Sequence, residues 1–93
     1  MHPSVVSPIV RAMASFHVVI PDNIRAERRR KDWIQSRLAM EIDGWTLDKV
    51  SSIESHETRL LVEDLVPLCR ALGRTLSELA VGCDPEERAV LGI

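Results

Sequence analysis

The chain has 93 residues, 45% of them hydrophobic and 28% charged, with a net charge of −2. This fits one small soluble domain with a limited core and excludes a protein that is basic throughout. No run reaches the roughly 18 apolar residues of a membrane span, the N-terminus lacks the charged start of a secretory signal, and Cys69 and Cys83 lack a metal-binding spacing, so the expectation is a cytoplasmic protein with reduced thiols.

Residues 1–22 read as an N-terminal extension. Ser7-Pro8 is a helix start, with Ser as N-cap and Pro at the first helical position. Ile9, Met13 and Phe16 fall on one face, which predicts a helix over 8–16. The stretch FHVVI (16–20) is β-branched and reads equally as a short strand. Pro21-Asp22-Asn23 ends either one and caps a helix from about Ile24 to Lys31.

Asp32 opens the next helix and is spaced with Gln35 as a capping box. Its inner face is Ile34, Leu38, Ala39 and Ile42, and Trp33 and Trp45 flank it as core or semi-core residues. Gly44 supplies the positive φ of a tight turn. Thr46 caps a third helix with Asp48 in its first turn, where a carboxylate suits the helix dipole. Val50 and Ile53 face inward; Lys49, Ser51 and Ser52 face out. After a polar loop, SHETRL (55–60), a helix over about 61–72 carries Leu61, Leu65, Leu68 and Leu72 on one stripe. Pro67 inside it predicts a late start or a bend. Cys69 lies on an apolar face there, and Cys83 lies in a later loop. Gly73 closes that helix, and Thr75 with Glu78 forms a capping box for a short fifth one ending near Ala80. In the remaining segment, 81–93, Asp84-Pro85-Glu86-Glu87 starts a last helix over about 85–91, with Ala89, Val90 and Leu91.

Five short helices with this punctuation resemble the lambda-repressor-like (Cro-like, xenobiotic-response-element) helix-turn-helix family over roughly residues 23–80. The residues that carry the resemblance are Ile24-Arg25 and Arg28, then Gln35 with Leu38-Ala39, Gly44, Val50, Ile53-Glu54, and ALGRTLSEL at 71–79. Pro67 fits, since several such repressors carry a Pro in their fourth helix. The chain departs from the family in four places. Asp43 lengthens the turn before Gly44, Ile34 stands where a small polar cap is usual, His56 stands where Gly is frequent, and Leu47-Asp48 replaces Gln, Arg or Ser.

The resemblance implies an all-α, five-helix domain, here with a short N-terminal extension and an extra C-terminal helix. It implies a homodimer on double-stranded DNA, a transcriptional repressor of phage or bacterial type. Its third helix, 46–54, would read an inverted repeat in the major groove, with the paired helices about 34 Å apart. By position, Thr46, Leu47, Asp48, Lys49 and Ser52 would read base edges, Leu47 by touching a thymine methyl and Asp48 by accepting from cytosine N4. Gln35 would contact a phosphate, with Arg37, Ser55, His56 and Arg59 as further backbone contacts. Arg28 and Glu54 would pair structurally beneath the two-helix unit.

The charges divide unevenly. Residues 23–59 carry eight Lys/Arg against seven Asp/Glu, and residues 60–93 carry three against six. DNA contact is therefore expected from the first two-thirds of the chain. The RAERRRK run (25–31) itself reads as a solvated face, scattered round a helix. A second reading keeps the fold as a protein-interaction module, such as an antitoxin that binds a partner and represses its own promoter. Residues 1–20 or 84–93 would then hold the partner or the dimer, through Val18 to Ile20 and Val90, Leu91 and Ile93. His2, His17 and His56 have no metal or dyad spacing, and no Gly-rich or nucleophile motif is present. The sequence therefore predicts no catalysis, metal or cofactor.

Overall fold

Pro21 does not end the first helix. In the computed structural model, which describes residues 15–93, one helix runs unbroken from Phe16 to Arg30 (α1) with Pro21 inside it. FHVVI is therefore helical rather than a strand, and α1 continues through residues 22 and 23, where the sequence places the start of a separate unit. The proposed helix at 8–16 lies almost wholly outside the described residues. Proline removes the backbone bond to the His17 carbonyl, a cost of about 3 kcal/mol in a helix interior. Burial offsets it: Pro21 is among the most completely buried side chains, on the same inward face as Ile20, Ile24 and Arg28.

Five more helices follow: α2 (Gln35–Met40), α3 (Leu47–Glu54), α4 (Val62–Leu72), α5 (Leu76–Leu79) and α6 (Pro85–Leu91), with no strand among the described residues. The connection from α1 to α2 corrects the expected capping box. Asp32 has φ 58°, left-handed, and does not open α2. It closes α1 instead. The Asp32 N–H donates to the Arg29 carbonyl at 2.9 Å and the Trp33 N–H to the Arg28 carbonyl at 3.1 Å, a Schellman motif with Asp at the position glycine usually fills. Ile34 is the N-cap of α2, makes no side-chain cap bond and is 69% exposed, so it does not belong to the inner face. Gln35 turns its amide elsewhere, as described below.

Gly44 (φ 78°) makes the turn between α2 and α3. Thr46 caps α3, its hydroxyl accepting from the Lys49 N–H at 3.2 Å. The helix ends as α1 does, with His56 left-handed at φ 66° and the Glu57 N–H on the Ser52 carbonyl at 2.9 Å. The next helix begins one residue later than predicted, at Val62, and Pro67 sits within it. Leu61 is its N-cap and is 52% exposed, so the inward stripe of α4 is carried by Leu68 and Leu72.

The core gathers Ile20 and Ile24 from α1, Leu38 and Ala39 from α2, Val50 and Ile53 from α3, Leu68 and Leu72 from α4, and Leu79 from α5. Each large aliphatic side chain so buried contributes about 1.5–3 kcal/mol. In this core α3 packs on both α1 and α2, and α1 also meets α4 and α5. Trp33, Trp45 and Cys69 are partly buried against it, and Cys83 is buried outright. Thr75 and Glu78 form the predicted capping box of α5. The Asn23 amide then pins α5 to α1 by donating to the Leu79 and Val81 carbonyls at 2.7 and 2.8 Å. Arg88 holds α6 down by donating to the Ala80 carbonyl and to Ser77. Ile20 is buried in the core, so it offers no free surface to a partner; Val90 and Leu91 are exposed.

Candidate nucleic-acid interface

Arg28 is 6% exposed and Glu54 2% exposed, and neither charge is solvated. The guanidinium donates from Nε to Oε2 at 2.8 Å and from Nη2 to Oε1 at 2.9 Å, a bidentate fork. Its Nη1 donates to the Trp33 carbonyl at 2.6 Å. The Gln35 amide donates to Glu54 Oε1 at 3.1 Å. One network thus ties the end of α3 to the last turn of α1, to the α1–α2 connection and to the first residue of α2. Every buried side-chain nitrogen and oxygen among the described residues has a partner. A pair this deep fixes geometry more reliably than it adds net stability.

That lock sets how α3 presents its outer side. Thr46, Leu47 and Asp48 are exposed, Leu47 at 49%. Asp48, Lys49 and Ser52 line a shallow groove with Arg59 across it, so α3 and the loop after it form one surface. Among the described residues neither Asp48 nor Arg59 makes an ion pair. Ser55 donates its hydroxyl to the Ser52 carbonyl at 3.3 Å. His56 faces Asp22 of α1, Nε2 to Oδ1 at 3.0 Å, and Arg25 reaches the same carboxylate at 3.3 Å.

Lys49 does not simply face out. Its ammonium bonds Asp64 Oδ1 at 3.1 Å and lies 4.6 Å from the Trp45 ring centre. The Asp64 side chain is 7% exposed, and its other oxygen accepts from the Leu61 N–H at 3.1 Å, capping α4. Sequence reasoning missed Asp64, although its place three residues after the cap of α4 is the signal for a backbone-bound carboxylate. It also missed Asp22, for which a single sequence carries no signal.

Arg37 lies apart from this groove. It pairs with Glu41 at 2.8 Å and sits over Trp33. Gln35 is half-buried, with its amide on Glu54. Among the described residues no three His, Cys, Asp or Glu side chains converge as a metal site, and no helix is long and apolar enough to cross a membrane.

No family model matches the chain, and no curated protein matches it. Its fold is similar to the crystal structure of a hypothetical transcription factor from Neisseria. The two are 27% identical, over 83% of this chain and 85% of that one, with a TM-score of 0.65.

Proposed function

We propose that the chain is a regulator of transcription that binds double-stranded DNA in a sequence-specific way through a lambda-repressor-like helix-turn-helix, with α2 and α3 as its two helices. The observation that carries this is the buried Arg28–Glu54–Gln35 network, which ties the end of α3 to α1 and α2 while the first turn of α3 stays exposed. A helix in this pose enters a major groove by its N-terminal residues. The structural similarity to a hypothetical transcription factor supports the same reading.

In this reading Leu47 and Asp48 face base edges, with Thr46 and Ser52 beside them. Asp48 accepts from cytosine N4, and Leu47 packs on a thymine methyl. Arg59, Ser55 and His56 approach the sugar-phosphate backbone from the loop, and Gln35 and Arg37 from α2. Lys49 is shared with Asp64 and contributes less than its place on α3 implies. The protein acts as a homodimeric repressor, of phage or bacterial type, on an inverted repeat. Exposed Val62 and Val66 of α4 and Val90 and Leu91 of α6 supply apolar surface for the partner copy.

Asp48 favours a second reading, because a carboxylate on the reading face repels phosphate. There the same fold serves chiefly to hold a protein partner, as an antitoxin does.

The test is a selection from a random duplex library at about 100 mM salt, a concentration that suppresses weak non-specific binding. The wild type is run beside a Leu47→Ala/Asp48→Ala/Arg59→Ala variant, whose positions are exposed and spare the core. Enrichment of an inverted repeat by the wild type alone is expected. No enrichment from folded wild-type protein contradicts the proposal and favours the partner-binding reading.

A further inference from the structure

The basic run at the end of α1 divides three ways in the fold. Arg28 turns inward to Glu54, and Arg30 pairs with Glu27 at 3.4 Å. Lys31, exposed at the end of α1, places its ammonium 5.3 Å from the Trp33 ring centre. From α2, Arg37 places its guanidinium carbon 4.9 Å from the same ring centre. Two cations from different helices therefore share one indole.

The indole is well anchored. Trp33 is half-buried against the core, and its carbonyl accepts from Arg28 at 2.6 Å. A ring face attracts cations without using their N–H groups. The Lys31 ammonium makes no ion pair among the described residues. Arg37 gives its Nε to Glu41, an exposed pair of little strength, and keeps its two terminal nitrogens. Glu54, beside the Arg28 that holds the Trp33 carbonyl, is already occupied by Arg28 and Gln35. Like charges held together repel one another, and an anion bound by both relieves that. In a chain of net charge −2, residues 27–41 carry Arg28, Arg29, Arg30, Lys31 and Arg37 against Glu27, Asp32 and Glu41. The local balance is positive around the α1–α2 connection, which the Arg28–Glu54–Gln35 network ties to the end of α3.

We propose that Lys31 and Arg37, positioned by Trp33, form a clamp for the phosphate backbone of the DNA duplex whose bases α3 reads. The proposal rests on the DNA-binding reading above. The arginine fork suits a phosphate in two-point contact, and the ammonium supplies a second charge on the same strand. The clamp carries affinity without carrying sequence preference.

Binding is measured across about 50 to 200 mM salt, on a duplex enriched by the wild type and on an unrelated one. A Lys31→Gln/Arg37→Gln variant keeps both alkyl stems near the ring. An Arg29→Gln/Arg30→Gln variant removes equal charge from the end of α1, at residues that do not sit over Trp33. In the clamp variant, affinity for both duplexes is expected to fall by the same factor, with the preference between them kept. Losing two phosphate contacts makes the slope of log affinity against log salt shallower by about 1.8, so over this range the wild type loses about tenfold more affinity than the variant. The control should keep the wild-type slope. A wild-type slope in the clamp variant overturns the proposal, as does an equal change in the control, which would assign the effect to net charge. If the wild type binds neither duplex, the DNA-binding reading fails and the clamp with it. If the wild type binds and prefers its duplex while the clamp variant matches it, only the clamp fails.

Discussion

Replacing Glu54 with alanine would leave the Arg28 guanidinium buried without its counter-charge. Breaking such a pair costs about 3–5 kcal/mol, and for a domain of this size each kcal/mol lowers the melting temperature by about 4–8 °C. Glu54→Ala is therefore expected to melt at least 10 °C below the wild type, roughly the lower bound of that product. An Arg28→Met/Glu54→Leu pair should recover most of the lost stability, because apolar replacements remove both desolvation costs. A wild-type melting curve for Glu54→Ala would show that the pair has no such role. Asp32 gives the opposite sign. A left-handed φ of 58° strains any side chain there, so Asp32→Gly should raise stability by about 0.5–1 kcal/mol in thermal unfolding. Burial pushes the Cys69 and Cys83 thiols above the ordinary cysteine range, Glu87 adding to the effect at Cys83. A raised pKa means less thiolate at any given pH. Iodoacetamide at pH 8 should therefore modify both far more slowly in native protein than in urea. The Arg28–Glu54 pairing was legible only through family resemblance, since 26 residues separate the partners. Asp32 misled because an acidic residue three before Gln suits a capping box as well as it suits a helix end.

Helix ends were the most readable elements. Thr46, Gly73, the Thr75–Glu78 box and Asp84-Pro85 all act where their local chemistry places them, because a cap depends on neighbours a few residues away. The failures have different causes. Pro21 reads as a terminator, yet the core it fills keeps α1 continuous. Leu61 reads as part of an apolar stripe, yet it caps α4 and points into solvent. The hold of α1 on α5 is likewise invisible locally, because Asn23 reaches carbonyls 56 and 58 residues away. Asn23→Ala leaves those two acceptors unpartnered and should cost about 1–3 kcal/mol in denaturant unfolding. A loss below a few tenths of a kcal/mol would mean that water takes over both bonds.

At the scale of the whole molecule, an overall negative chain is proposed to bind a polyanion by sorting its charge. The acidic excess sits beyond residue 60, while the cations gather around α1 and α2. Composition alone argued against DNA; the distribution, together with a locked α3, argues for it. The groove joining Asp48 and Ser52 to Arg59 follows from how the loop after α3 returns along it, which no spacing in the sequence encodes. The claim at the centre is that the first turn of α3 reads bases. Its most direct test is a competition assay with Asp48→Ala on the duplex that the wild type selects, against the set of single-base-pair substitutions. The expected result is lost discrimination at one base pair in each half-site, worth about 1–3 kcal/mol, with preferences elsewhere unchanged. A uniform change in affinity at every position, with no preference lost, would contradict it.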